Sequence, residues 1–493
     1  MGPMTDITIT TSARDGSPGA RLAEAAPPRH RPTMGHIATL VLIGGIFLPM
    51  LSFFVINVAL HAIGVGLQAS PSALQLVVGS YGIANAALVV LGGRLGDSHG
   101  RKRMFLLGMG GFAVASLACG LAPNLSILLA ARVAQGALAA LMTPQVLATI
   151  GATLEGHHRA RAIGYFGAAG GVAAALGQVL GGLLVAADLF GLGWRAVFLV
   201  FVPLALAALL AAWRLIPETQ SHEHVPLDGW GAGLLAGTLV LLLLPLTEGR
   251  PLRWPLWSVL ALVAVVPAVA FFGTHQRRLE RTGRPALVPP SVLALRPMRL
   301  GLAIALCFFT TFGGFMFVFA LATQGEAHLS PLDGGLTLLP MAAVFMVVSM
   351  VFPRVQARLG SWTLVLGWAV QLVAYAVLAG FVATLWPRIT PLNIALPMAL
   401  TGVGGALVMM PLFGVVLAQV PSHQGGLGSG ILITTQQTCL ALGAATVGTA
   451  YLALASPWGQ GGALVAVCLL ISAVSLVGIP LATALARTPR PRT

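Results

Sequence analysis

Fourteen apolar runs, each close to the length of a bilayer crossing, succeed one another along this chain. They fall at 37–62, 73–93, 104–122, 126–150, 162–187, 196–213, 231–247, 255–273, 301–323, 334–352, 362–384, 393–419, 428–455 and 461–485. A spanning helix needs about 20 such residues. Only 8% of the 493 residues are charged, against about 25% in a soluble protein. The sequence therefore predicts an all-α polytopic membrane protein with 14 transmembrane helices and little room for a soluble domain. Pro245 interrupts the end of the seventh run.

The basic residues give the orientation. With the N-terminus inside, 22 of the 27 Lys and Arg residues lie on the inner side, from Arg14 and Arg21 through Arg277, Arg278, Arg281, Arg284, Arg296 and Arg299 to Arg492. Arg195, Arg250, Arg253 and Arg388 fall outside, and Arg132 lies within a run. This asymmetry follows the positive-inside rule. Both tails are basic, which requires an even number of crossings. A net charge of +14 would suggest nucleic acid in a soluble protein. Here it orients the chain in a lipid bilayer, and no nucleic-acid partner is expected. Cys119, Cys307, Cys439 and Cys468 all sit inside apolar runs and read as packing residues.

An internal echo divides the chain. Residues 353–360 repeat the pattern of 93–100 at an offset of 260. The same offset brings runs 1, 4, 5 and 6 close to runs 9, 12, 13 and 14. The expected plan is a disordered cytoplasmic tail at 1–35, without a signal peptide, and a six-helix half at 36–214. An inserted helix pair and cytoplasmic linker follow at 215–298, then a second half at 299–486 and a tail at 487–493. The stretch 274–300 is basic and proline-containing, and it reads as a linker on the inner membrane face. Ala357 stands in the echo where the first copy has Asp97, so the two inner hinges are not equivalent.

Residues 92–103 hold four basic residues and one acid between two apolar runs. By charge alone this is a solvated inner loop. Its spacing resembles the signature loop of the major facilitator superfamily, Gly-x-x-x-Asp-basic-x-Gly-Arg-basic. The match is at Gly93, Asp97, Gly100, Arg101 and Lys102, and the departure is at Ser98. The resemblance implies an inner gate at this loop and parallel halves related by an axis along the membrane normal.

Three further stretches resemble the fourteen-helix drug:proton antiporters of that superfamily. Residues 51–61 resemble Leu-Asp-x-x-Ile-Val-Asn-Val-Ala-Leu-Pro, with Asn57 matching, Ser52 at the aspartate and His61 at the proline. Arg132, Gln135 and Gly136 match an Arg-x-x-Gln-Gly pattern. Gly177, Gly181 and Gly182 match an antiporter motif, Gly-Pro-x-x-Gly-Gly, with Gln178 at the proline. Trp194 and Arg195 also fit, and Gln436 and Gln437 resemble a glutamine of the family pattern.

At about 1.5 Å per residue, Asn57, Arg132 and Gln178 lie roughly 8, 10 and 13 Å from the outer ends of their helices. They are therefore expected to form one polar cluster in the outer half, with His61 at its rim. None of the 13 acids falls mid-span. Ser52 replaces the expected carboxylate, so either His61 or an outer-edge acid such as Glu326 or Asp333 carries the proton, or coupling is weak or absent. There is no Gly-x-x-x-x-Gly-Lys loop, metal-ligand spacing or nucleophile elbow, so no enzyme, cofactor or metal is expected.

The resemblance implies an exporter of hydrophobic or amphipathic small molecules, a drug or antibiotic efflux pump working by proton antiport with alternating access. A cavity poor in acids suits neutral or anionic substrates. An uptake facilitator or symporter on the same fold, or a membrane sensor without flux, are the other readings. The expected partners are the substrate and protons, in a monomer placed in the bacterial inner membrane with both termini cytoplasmic.

Overall fold

The computed structural model describes residues 34–219, 228–249, 252–417 and 425–488. Residues 1–33 of the first tail and 489–493 of the second lie outside the described residues, as does Arg250.

Helices account for nearly all of the described chain. The first group is α1 (His36–Leu67), α2 (Pro71–His99), α3 (Arg101–Gly120), α4 (Leu125–Thr153), α5 (Gly156–Ala187), the short α6 (Ala196–Leu199) and α7 (Phe201–Leu215). Then come α8 (Gly229–Glu248), α9 (Leu256–Arg281) and the short α10 (Pro290–Ala294). The last group is α11 (Arg296–Gln324), α12 (Pro331–Leu359), α13 (Thr363–Leu385), α14 (Ala395–Leu417) and α15 (Gly425–Ala486).

Local sequence sets the helix ends. Ser70, Asn124 and Ser330 accept hydrogen bonds from the backbone N–H groups of Ala73, Ile127 and Asp333. Each bond satisfies a donor that the first helical turn leaves free. Pro71 and Pro331 follow two of these caps, where the missing N–H costs nothing. Gln68 closes α1 in the left-handed region, at φ 50°.

Twelve helical stretches among the described residues are long and apolar enough to cross a membrane. The sequence shows fourteen runs, and the difference lies in two places. Pro331–Leu385 has 55 residues and Gly430–Ala486 has 57, and each contains two of the runs. At about 1.5 Å per residue each would be on the order of 80 Å long if straight. Both are broken midway, at Gly360 (φ 56°) and Gly459 (φ 71°). Only glycine adopts such angles at little cost.

Packing gathers α1 with α5, α2 with α4, and α3 with α4 and α7. It likewise gathers α11 with α15, α12 with α14, and α13 with α14 and α15. The two groups meet where α5 packs on α12, α2 on α15 and α1 on α11. Helix α8 lies against α2, α15 and α9. Helix α9 exposes Leu256, Leu260, Val263 and Val266, an apolar face suited to lipid.

Close approach of α2 and α4 requires glycine. A Cβ on Gly92 would stand 2.1 Å from the Ala140 carbonyl oxygen, and one on Gly136 would stand 2.3 Å from that of Tyr81. Both obstacles are backbone atoms, which cannot turn aside.

Candidate functional site

Where the two groups meet, a small cleft is lined from both sides. Helix α1 gives Met50 and Phe54, and α5 gives Gly170 and Gly171. Helix α11 gives Phe309 and Phe312, and α12 gives Met341, Ala342 and Phe345. Met409, Gln436 and Leu440 complete it. Phe54 meets Phe312 edge-on at 6.1 Å, across the boundary between the groups. Phe312 in turn stacks on Phe308. No charged side chain lines the cleft, and Gln436 is its one amide. Its volume is about 20 Å³, room for about one water and too little for a solute.

Apart from Gln436, these lining residues were not read from the sequence. Their helices are apolar all round, because lipid is as apolar as a protein interior. A face turned to the cleft therefore has no periodicity to mark it. Of the candidates named from sequence, Gln436 alone lines the cleft. Its neighbour Gln437 turns to α2 and donates to Asn85 at 3.1 Å. Asn85 donates to the Gly136 carbonyl at 3.4 Å.

The expected cluster of Arg132 with Asn57 and Gln178 does not form as hydrogen bonds. Arg132 is 0% exposed. It donates to Gln135 Oε1 at 2.7 Å, to the Val77 carbonyl at 3.1 Å and to Ser52 Oγ at 3.4 Å. Its guanidinium lies 4.4 Å from the centre of the Tyr81 ring, a cation–π contact. Gln135 donates onward to Ser116 at 2.8 Å. Asn57 bonds back to Phe53 of its own helix. Among the described residues, Gln178 donates only to the Met316 sulfur, at 3.8 Å. His61 is exposed.

Axial rise explains the discrepancy. It sets a residue's height but not the direction it faces. At about 100° per residue, Ser52 points roughly opposite to Met50 and Phe54. Those two line the cleft, so Ser52 and Arg132 lie in the interior of the first group, turned away from it.

The antiporter glycines hold α5 close to two helices. Added Cβ atoms would stand 2.7 Å from Phe54 Cβ at Gly177 and 2.7 Å from the Val55 carbonyl oxygen at Gly181. At Gly182 the obstacle is the Pro331 carbonyl oxygen of α12, at 2.6 Å. On α12, Gly335 faces the Gln178 carbonyl oxygen at 2.5 Å. The motif thus packs α5 on α1 within one group and on α12 across the boundary.

The hinge loop forms a tight junction. Gly100, at φ 97°, joins α2 to α3. Asp97 accepts from Arg101 at 2.8 and 3.1 Å, and Arg101 also donates to the Ala148 carbonyl at 3.0 Å. Gly93 rests on Pro144. The Lys102 N–H donates to Glu218 Oε1 at 3.2 Å. Ser98, the departure from the motif, donates to the Arg94 carbonyl at 3.1 Å. Glu218 was not singled out in the sequence, since its partner is 116 residues away.

Glu326 and Asp333 are tied to neighbouring helix ends. Glu326 Oε2 accepts from the Gln460 N–H at 2.7 Å, and Gln460 Oε1 accepts from the Glu326 N–H at 3.0 Å. Asp333 Oδ2 accepts from Ser330 at 2.7 Å. Both acids sit at helix ends, and neither lines the cleft.

A sequence profile described as Major Facilitator Superfamily matches residues 42–444. The chain belongs to the major facilitator superfamily. It is a multi-pass membrane protein of a transporter family. It is 35% identical over 449 residues to a probable actinorhodin transporter of Streptomyces coelicolor, covering 89% of this chain and 76% of that one. It is 33% identical to the puromycin resistance protein of Streptomyces alboniger, covering 83% and 80%. The fold is similar to that of a peptide transporter solved with sulfate, at TM-score 0.66 and 14% identity, covering 92% of this chain and 97% of that one. For a facilitator chain, the cleft between the two helix groups is the place where a solute would sit.

Proposed function

We propose that the protein exports neutral, largely aromatic small molecules, antibiotics among them, by opening this cleft alternately to the two sides of the cell membrane. The lining carries the reading. Four phenylalanines and three methionines surround one amide, with no charge. Rings stack on such walls, and methionine adapts to irregular shapes. A cation would find no counter-charge. The relatives named for antibiotic transport and resistance support export. Gly93, Asp97, Gly100, Arg101 and Lys102 form the inner gate in this reading. Protons provide the drive, and the unit is a monomer.

The test is uptake into everted vesicles from cells lacking their own efflux pumps. Neutral aromatic dyes should accumulate and cationic dyes of like size should not. Phe312→Ala should raise KM roughly tenfold, on the scale of one lost aromatic contact and its buried area. Accumulation of cationic dyes alone would overturn the substrate class, and loss from the vesicles would reverse the direction.

The two long stretches cross twice each in this reading, giving fourteen crossings with both termini inside. Reporter fusions after residues 290 and 360 should then read as cytoplasmic, and one after residue 390 as periplasmic. A cytoplasmic signal after residue 390 would leave Pro331–Leu385 a single crossing.

A further inference from the structure

The stretch read as a plain linker does more than join α9 to α11. Leu287 is 0% exposed. It shares one apolar cluster with Val89 and Val90 of α2, Ala140 of α4 and Ile433 of α15, and Phe413 of α14 packs against the same cluster. Helices α2 and α4 belong to the first group, and α14 and α15 to the last. Residues 286–288 therefore fill the seam between the groups, at the end of α2 that carries the hinge loop.

Polar bonds hold this segment from two sides. Arg94, buried in α2, donates to the Ala286 carbonyl. Gln276 of α9, also buried, accepts from the Val288 N–H at 2.9 Å. Gln276 is itself oriented by Asp228, the N-cap of α8, whose Oδ2 accepts from its amide at 2.7 Å. Asp228 Oδ1 accepts from the Gly231 N–H at 2.8 Å and pairs with His275 Nε2 at 2.9 Å. Burial raises the Asp228 carboxyl, but the bonds from His275, Gln276 and Gly231 outweigh it and hold the group below the usual carboxylate range. It is therefore ionised at working pH and can accept with both oxygens.

We propose that residues 286–288 are an inner plug of the cleft, which must leave the seam before the cleft opens inward, and that Asp228 is its positioning residue, acting through Gln276. The proposal rests on alternating access, as read above, but on no particular substrate. On this view the inserted helix pair carries the latch that seats the plug.

Asp228→Asn tests the latch. It places an amide donor against the Gln276 amide donor. Gln276 must then turn its oxygen toward the new donor and abandon the Val288 N–H. Adding Gln276→Glu supplies two acceptor oxygens, one for each donor, and should restore the seat. The readout is alkylation of a Met409→Cys reporter in the cleft, using the full chain in inside-out vesicles and a membrane-impermeant thiol reagent. The chain without the reporter measures the background from the native cysteines.

Asp228→Asn should raise the alkylation rate about fivefold, the shift expected for one buried hydrogen bond. The double variant should return within about twofold of the reporter alone. Leu287→Ala, which shrinks the plug and leaves the latch intact, should raise the rate as well. An unchanged rate in both single variants would overturn the plug. Failure of Gln276→Glu to rescue would remove Asp228 as its positioning residue. The reporter needs no transported solute, so failure of the export reading would be seen separately, in the dye experiment.

Discussion

Gly182→Leu should lower transport by more than about tenfold while the amount of folded protein in the membrane stays near normal. The cause is a backbone clash across the boundary between the helix groups. A Cβ at this position would stand 2.6 Å from the Pro331 carbonyl oxygen and 2.9 Å from Leu332 Cα. Neither atom can swing away as a side-chain tip would. Overpacking of this kind costs about 1–3 kcal/mol, and more when backbone must move. Here the strain falls on the arrangement in which α5 and α12 touch, and separating them relieves it. A penalty of about 3 kcal/mol shifts the balance between closed and open forms by more than a hundredfold.

The variant should therefore be held open on the side where these helix ends meet, which is the outer side in the proposed orientation. A Met409→Cys reporter should then react faster with an impermeant reagent applied to intact cells. Gly181→Leu is the control. Its Cβ would meet the Val55 carbonyl oxygen at 2.7 Å, inside one group, where no step of the cycle relieves it. That variant should lose protein, not gating. Equal loss of protein in both variants, with normal transport per molecule, would sink the distinction.

Ser52→Asp should add a voltage response that the unmodified protein lacks. Arg132 has no carboxylate partner among the described residues; its nearest polar contacts are Gln135, Val77 and Ser52. No member of that set gives up a proton in the working range. The site therefore cannot carry one across the field, and flux in the unmodified protein should follow the pH gradient more than the voltage. A carboxylate at position 52 would lie about where Ser52 Oγ now stands, 3.4 Å from Arg132. It would cancel the Arg132 charge when ionised and release it when protonated. A unit charge moved across the whole membrane is worth about 2.3 kcal/mol per 100 mV. Half of that path gives about 1.1 kcal/mol, roughly a sevenfold effect on rate. Flux in proteoliposomes with pH and electrical gradients clamped separately measures it. A voltage response of that size in the unmodified protein would mean a buried proton carrier elsewhere in the chain.

By itself, the sequence determined what depends on local chemistry and on the thickness of a bilayer. Apolar runs of sufficient length mark helices wherever they occur, because unpaired backbone groups cannot remain in hydrocarbon. Helix starts are set at equally short range, since Ser70, Asn124 and Ser330 each act on an N–H three residues away. The hinge at residues 92–103 was legible for the same reason, with Asp97 and Arg101 only four residues apart across the Gly100 junction. Tertiary structure decided which way each helix faces. Arg132 bonds Ser52 and Gln135 and not Asn57 or Gln178, because a helix apolar all round gives no signal of its azimuth. The phenylalanines of the cleft were hidden among lipid-facing residues of the same kind. Glu218 and Glu326 found partners 116 and 134 residues away, and Leu287 found the seam between the two groups. Contacts of that range depend on how whole helices are brought together, which no local spacing records.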